Sequence, residues 1–214
     1  MVIEILRLIG GWDIVGLLDP KEELWHSQVL GVPVLGDDHH LLALYEQGVR
    51  HAFIGLGTIG DTKPRRRLYE TARSGGFQVV SAIHPAAVIS PSAQIGGGAT
   101  VMATAVINAA ASLGDNVIVN TGAIVEHDCV IGDHCHIATG ARLASTVRVG
   151  PGAHIGAGAT VRQSITVHAE AIVGAGAVVV TDVPAQTLVT GVPARPSQLN
   201  PYSGAGAAPR GRGA

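Results

Sequence analysis

The sequence predicts a small parallel α/β domain followed by a parallel β-helix, and three observations carry that prediction. An aliphatic residue recurs at every sixth position from Ile89 to Val179, sixteen times without a miss. A second series of small or aliphatic residues keeps the same beat four places later, from Ala93 to Val183. Ahead of both, residues 1–84 alternate helix-like and strand-like segments. A strict period of six fits neither a helix nor an alternating strand. It fits a coil with three flat sides, one hexad to a side. Helix–strand alternation implies a parallel sheet.

Taken in order, Val2 to Ile9 reads as a helix stopped by Gly10 and Gly11. Ile14 to Asp19 reads as a buried strand ending in an acid. Asp37 caps a helix running through Gln47, and His51 to Gly57 is a second strand with a glycine exit. Thr62 to Ser74 is a helix and Phe77 to Ile83 a third strand. A ligand is expected at the carboxyl ends of these strands, near Asp19 and Gly57. Asp19 reads equally well as a turn residue before Pro20. The run Arg65-Arg66-Arg67 reads as a solvated helix face in preference to a phosphate contact. The domain begins late, because Met1 already opens the first helix where a strand and Gly-rich loop normally come first. Either that loop is absent or Met1 lies inside a longer natural chain.

In the repeat, the large aliphatic residue points inward and the small one fits near the corner. Three hexads make a coil of eighteen residues, and sixteen hexads give about five coils. Gly96, Gly114, Gly132, Gly150, Gly156 and Gly174 follow the large residue and are read as supplying turn conformations. Cys129 and Cys135 fall in the small series and read as core filler. The division is 1–84 for a Rossmann-like domain apparently lacking its first strand, 85–195 for the β-helix, and 196–214 for a disordered tail.

Composition agrees. Apolar residues make up 47% of the 214 and aromatics only 3%, so the core is Val, Ile, Leu and Ala. A net charge of −2 gives no argument for nucleic acid. No apolar run reaches the roughly 18 residues of a membrane span, so no membrane partner is expected. Met1 is not followed by a basic leader. Two cysteines make no disulfide framework, so a cytoplasmic setting is expected.

The chain resembles the nucleotide-sugar acetyltransferases of the PglD/NeuD/PerB type, over nearly its whole length. The stretches that carry the resemblance are GLLDP (16–20), GLG (55–57), RRRLY (65–69), IHPAAVISPSA (83–93), NTGAIVEHDCVIGDHCHIATG (120–140) and GVPAR (191–195). The resemblance implies a left-handed β-helix, a homotrimer, and acetyl-CoA lying between neighbouring subunits as the acyl donor, with no metal. It implies His127 as general base and Asp128 as the acid orienting its ring, with His136 at the thioester. It also implies CoA contacts at Ser145, Ala157 and Ala175, and nucleotide-sugar contacts at Asp19, Pro20, Gly57 and Asn120. The chain departs from the family in the missing Gly-rich loop, in Pro20 where many relatives have an acid, and in Ser145 where many have Gly.

The residues support that chemistry independently. His127 lies two places after the inward Val125 and outside both core series, so it belongs on the surface. A histidine accepts a proton near neutral pH. Ser145 follows it by eighteen residues and should stack one coil away, where its N–H can donate to a developing oxyanion. His136 and His154 share the same spacing and should also stack. His134 reads as a surface residue. Three rivals remain open: a sugar O-acetyltransferase, a non-catalytic β-helix scaffold, and a γ-class carbonic anhydrase. The last needs zinc histidines at spacings this repeat does not contain.

Overall fold

The computed structural model describes residues 1–58 and 60–197. Of the expected tail over 196–214, residues 198–214 lie outside the described residues, while Pro196 is not disordered: Arg195–Pro196 is a strand that pairs antiparallel with Leu188–Thr190. Residues 82–190 form a three-sided prism. Its first face stacks Ala82–Ile83, Thr100–Val101, Ile118–Val119, His136–Ile137, His154–Ile155, Ile172–Val173 and Leu188–Thr190. The second face runs from Val88–Ile89 through Ile124–Val125 to Val178–Val179, and the third from Gln94–Ile95 through Val130–Ile131 to Thr166–Val167. All these neighbours pair in parallel. Val106 faces Ile124 and Ile107 faces Val125, which fixes the register at one coil of eighteen residues.

Both hexad series point where the periodicity puts them. Val101, Ile107, Val119, Val125, Ile137 and Leu143 are completely buried, as are Ala105, Ala111, Ala123 and Cys129 of the small series. The interior is one continuous aliphatic column, and its burial is the main stabilising term. Burial pushes the Cys129 thiol up and the Cys135 thiol up to about 12, so both stay protonated. They donate to the Ala144 and Gly150 carbonyls at 3.2 and 3.0 Å.

The glycines after the large aliphatic residues serve a different purpose from the one expected. Neither Gly114 nor Gly132 lies in the left-handed region. A Cβ at Gly114 would sit 2.8 Å from the backbone nitrogen of Asp133, and one at Gly132 would sit 2.7 Å from that of Pro151. These glycines admit the next coil. The left-handed conformation falls two places later, where Thr104, Ala110, Asn116, Asp128 and His134 have φ between 57 and 61°. Side chains other than glycine pay for that conformation, and Asn and Asp pay least.

Three helices, α1 (Val2–Ile9), α2 (Leu41–Glu46) and α3 (Lys63–Ser74), and five short strands make the preceding domain. Strand β1 (Leu17–Leu18) pairs in parallel with β3 (Val32–Gly36), and β2 (Gln28–Val29) pairs antiparallel with β3. Strand β4 (His51–Ala52) pairs in parallel with β5 (Gln78–Val79). The sequence reading missed β2 and β3. It also read one strand over 77–83 where there are two, β5 and Ala82–Ile83. The second of these leaves the α/β domain and becomes the outermost member of the prism's first face, against Thr100–Val101. Asp37 accepts the His39 N–H at 3.1 Å and so caps a 3-10 turn, Asp38–His40, that leads into α2 in place of one continuous helix. The domain covers the prism's first face. Ile5 and Leu6 of α1 pack on Ala82 and Met102. Tyr69 of α3 donates its hydroxyl to Asp115 at 2.9 Å, and Thr62 donates to the Gly152 carbonyl at 3.0 Å. Among the described residues no helix is long and apolar enough to cross a membrane.

Candidate active site

The site residues gather at two corners that flank the prism's second face. The corner after that face carries residues 126–128. Left-handed Asp128 turns its carboxylate back on the preceding ring, so that His127 Nδ1 and Asp128 Oδ2 are 2.7 Å apart. Both side chains are more than half exposed. A carboxylate only accepts, so Nδ1 carries a proton, and in the neutral ring the lone pair is therefore on Nε2. Asn108, Ala109, Ala110 and Glu126 complete an open cleft of about 530 Å³ around the pair. Ser145 lies one coil on, as expected: the N–H of the adjacent Thr146 donates to the His127 carbonyl at 3.0 Å. The Ser145 N–H makes no hydrogen bond among the described residues.

The corner before the second face carries the other group. Asn120 begins it, and Thr121, Thr139, Ala157 and Ala175 stack along it through Gly140, Gly158 and Gly176 N–H bonds at 2.8–2.9 Å. Asn120 is tied to the covered face. Its Oδ1 accepts the Thr121 N–H at 2.7 Å, which aims its Nδ2 at His136 Nε2, 3.4 Å away. His136 Nδ1 in turn lies 3.0 Å from the Thr58 carbonyl and 2.7 Å from its hydroxyl. Because a carbonyl only accepts, Nδ1 carries the proton and Nε2 receives the Asn120 amide. His136 is only 6% exposed. Burial, then repulsion from His154, holds its pKa down at about 4, and burial does the same for His154. The two rings meet edge to face with centroids 4.9 Å apart, which is the expected stacking. His154 Nδ1 is buried without a hydrogen-bond partner.

The remaining expected contacts are dispersed. Gly57 is exposed and immediately precedes Thr58, which places it beside the His136 cluster. Asp19 is partly buried, and its carboxylate caps the turn over Pro20 by accepting the Lys21 N–H at 2.9 Å. Its carbonyl accepts the Trp25 indole N–H at 2.8 Å. The turn reading of Asp19 is therefore satisfied by the fold itself. His134, read as a surface residue, lies in ring contact with Tyr69 beneath α3, with 3.0 Å between its Nδ1 and Asn116 Nδ2.

Sequence reasoning missed Thr58 and Arg65. Arg66 and Arg67 are exposed, but Arg65 is 2% exposed. Helical phase held the signal: Arg65 precedes Tyr69 by four places and Ala72 by seven, and all three share the buried face of α3.

With this geometry in view, the comparisons with known proteins decide the family. The PglD N-terminal domain matches residues 1–72, and the bacterial transferase hexapeptide matches residues 110–145. PerB from Caulobacter crescentus, in complex with CoA and GDP-perosamine, is 46% identical, with a TM-score of 0.84 over 92% of this chain and 90% of that one. The chain belongs to the PglD/PerB-type acetyltransferase family. Its fold is accordingly the family's α/β domain followed by a left-handed β-helix. The acetyltransferase domain of PglB from Neisseria gonorrhoeae, in complex with acetyl coenzyme A, is 39% identical with a TM-score of 0.83, covering 92% of each chain. WeeI from Acinetobacter baumannii is 26% identical with a TM-score of 0.78, again covering 92% of each. Comparison with the curated proteins gave no match.

Proposed function

We propose that the protein transfers the acetyl group of acetyl-CoA to the amino group of a nucleotide-linked amino sugar. The observation that carries the proposal is the exposed His127–Asp128 pair at 2.7 Å, one coil from an unengaged Ser145 N–H. The amine attacks the thioester carbonyl while His127 Nε2 takes its proton. Asp128 holds the tautomer and stabilises the imidazolium. The Ser145 N–H donates to the tetrahedral oxyanion. Collapse breaks the carbon–sulfur bond, and the departing thiolate recovers the proton from His127. The donor chemistry is supported by the CoA and acetyl-CoA bound in the relatives, and the acceptor class by GDP-perosamine in PerB.

The active unit is a homotrimer. Within one chain, His127, Asp128 and Ser145 lie on one corner, while Asn120, Ala157 and Ala175 lie on the other. The second face between them points Val88, Val106, Ile124 and Val178 outward, and Val88 is 62% exposed. Three copies that bury this face around a threefold axis bring the His127 corner of each beside the Asn120 corner of the next. The pantetheine arm then runs along that seam past Ala157 and Ala175. The nucleotide lies on the α/β domain (1–84) near Asp19, Pro20 and Gly57, beside the β-helix domain (85–195). In this arrangement His136 acts through Asn120, fixing its amide where the covered face meets the seam. The buried thiols of Cys129 and Cys135 suit a cytoplasmic setting.

The test is release of CoA thiol from acetyl-CoA with GDP-perosamine and other nucleotide amino sugars as acceptors, with the product's N-acetyl group identified by mass spectrometry. Turnover with an amino acceptor supports the proposal. Turnover only with hydroxyl acceptors replaces it with O-acetylation, and no turnover with any acceptor makes the prism a scaffold.

A further inference from the structure

The most unusual group outside the two corners is the buried guanidinium of Arg65. It is 2% exposed, and among the described residues no carboxylate lies within ion-pair distance. Burial alone pulls its pKa down to about 10, and its Nε has no hydrogen-bond partner. Burying an unpaired charge is costly, so the contacts it does make must offset that cost. They join two parts of the molecule. One terminal nitrogen donates to the carbonyls of Ile54 and Leu56, the latter at 2.8 Å. The other lies 3.1 Å from Thr100 Oγ1 and 3.4 Å from the Gly98 carbonyl, on the first full coil of the prism. The loop it grips is otherwise open. Gly55, Leu56 and Gly57 are exposed, and a Cβ at either glycine would meet nothing within 4 Å. The next residue, Thr58, contacts His136.

We propose that Arg65 is a positioning residue for the nucleotide sugar: its planar fork pins the inner carbonyls of the Gly55–Gly57 loop to the prism and so presents the loop's open side to the ligand. The role follows from shape as well as charge. A guanidinium donates in several fixed directions at once and serves both sides of the junction, whereas an ammonium is a single point. The positive charge stays at this junction because no carboxylate neutralises it, and that favours an anionic ligand on the loop. The inference deepens the proposed function, since it takes the ligand to be a nucleotide sugar.

The test compares wild type, Arg65→Met and Arg65→Lys by steady-state kinetics and by amide hydrogen exchange over residues 53–58. In Arg65→Met, KM for the nucleotide sugar rises about tenfold or more, while KM for acetyl-CoA and kcat stay within roughly threefold. Exchange over 53–58 speeds up by about tenfold or more without ligand. Arg65→Lys falls between the two. A purely structural role would lower the melting temperature and leave both KM values unchanged below it, and that result overturns the proposal. Unchanged exchange over 53–58 also overturns it. Should Arg65→Met not fold, the same two readings on Arg65→Lys decide. Exchange needs no turnover. A wild type inactive toward every amino acceptor would sink the proposed reaction, and exchange with and without GDP would still read the loop.

Discussion

The prism and the α/β domain are stabilised in opposite ways. In the prism each hexad repeats its neighbour's contacts, and one apolar column of buried side chains runs from Val101 to Val179. In the α/β domain most strands are two residues long, and most of the buried residues fall into two small clusters. One of those clusters borrows Ala82 and Met102 from the prism's first coil. The smaller domain is thus held by its docking as much as by its own core. Its other docking contacts are polar: Tyr69 to Asp115, Thr62 to Gly152, Thr58 to His136, and Arg65 to Gly98 and Thr100. On the proposed function the contrast is a division of labour, with a rigid frame for the chemistry and a more easily loosened domain for the acceptor.

The largest effect is expected where the frame carries chemistry without carrying stability. His127→Ala should lower kcat by roughly 10²–10⁴-fold. Elution volume and melting temperature should stay those of the wild type, because the side chain is exposed. Next comes the prism's interior. Leu143→Ala should cost about 2–5 kcal/mol in denaturant unfolding, since a fully buried side chain leaves a cavity that stacked coils cannot close.

Acid should separate the two regions. His136 and His154 are held neutral in the folded protein down to about pH 4, whereas in the unfolded chain histidine takes its proton near ~6.5. Above that unfolded value their contribution is constant. As pH falls from about 6.5 to about 4, the unfolded state gains protons the folded state refuses. Each histidine then costs about 1.4 kcal/mol per pH unit. The loss should show first as faster hydrogen exchange over 53–58 and in α3, with residues 160–179 unaffected. Exchange that rises uniformly along the chain would contradict the comparison. The smallest effect is expected from Tyr69→Phe. Removing the 2.9 Å bond to the half-exposed Asp115 should cost about 0.5–1.5 kcal/mol and leave the prism intact.

The same contrast explains what the sequence disclosed. Hexad spacing fixed the coil length, the inward residues and the stacking of Ser145 on His127, because in a solenoid contact follows from spacing. In the α/β domain the helices were legible, and β1, β4 and β5 fall inside the strands read over 14–19, 51–57 and 77–83, though each is much shorter than its reading. Strand β3 escaped because Pro33 interrupts its run and because it sits between β1 and β2 in the sheet, out of chain order. The segment 77–83 read as one strand because nothing local marks where the chain passes from one sheet to another. The charge on Arg65 argued for a solvated face, and only the docked prism supplies the acceptors that bury it. The spacing of the six glycines was visible, yet their purpose was not, since the approach of the next coil is a three-dimensional fact.

The account rests on active sites shared between copies, and subunit mixing tests it most directly. Two inactive proteins, His127→Ala and Ala175→Trp, each damage a different corner. Co-expressed with distinct tags and purified as mixed assemblies, they should regain acetyl transfer to about a third of the wild-type rate, because one seam in each mixed trimer joins two intact corners. If the mixed assemblies stay as inactive as their parents, each site lies within one chain and the shared-seam account is wrong.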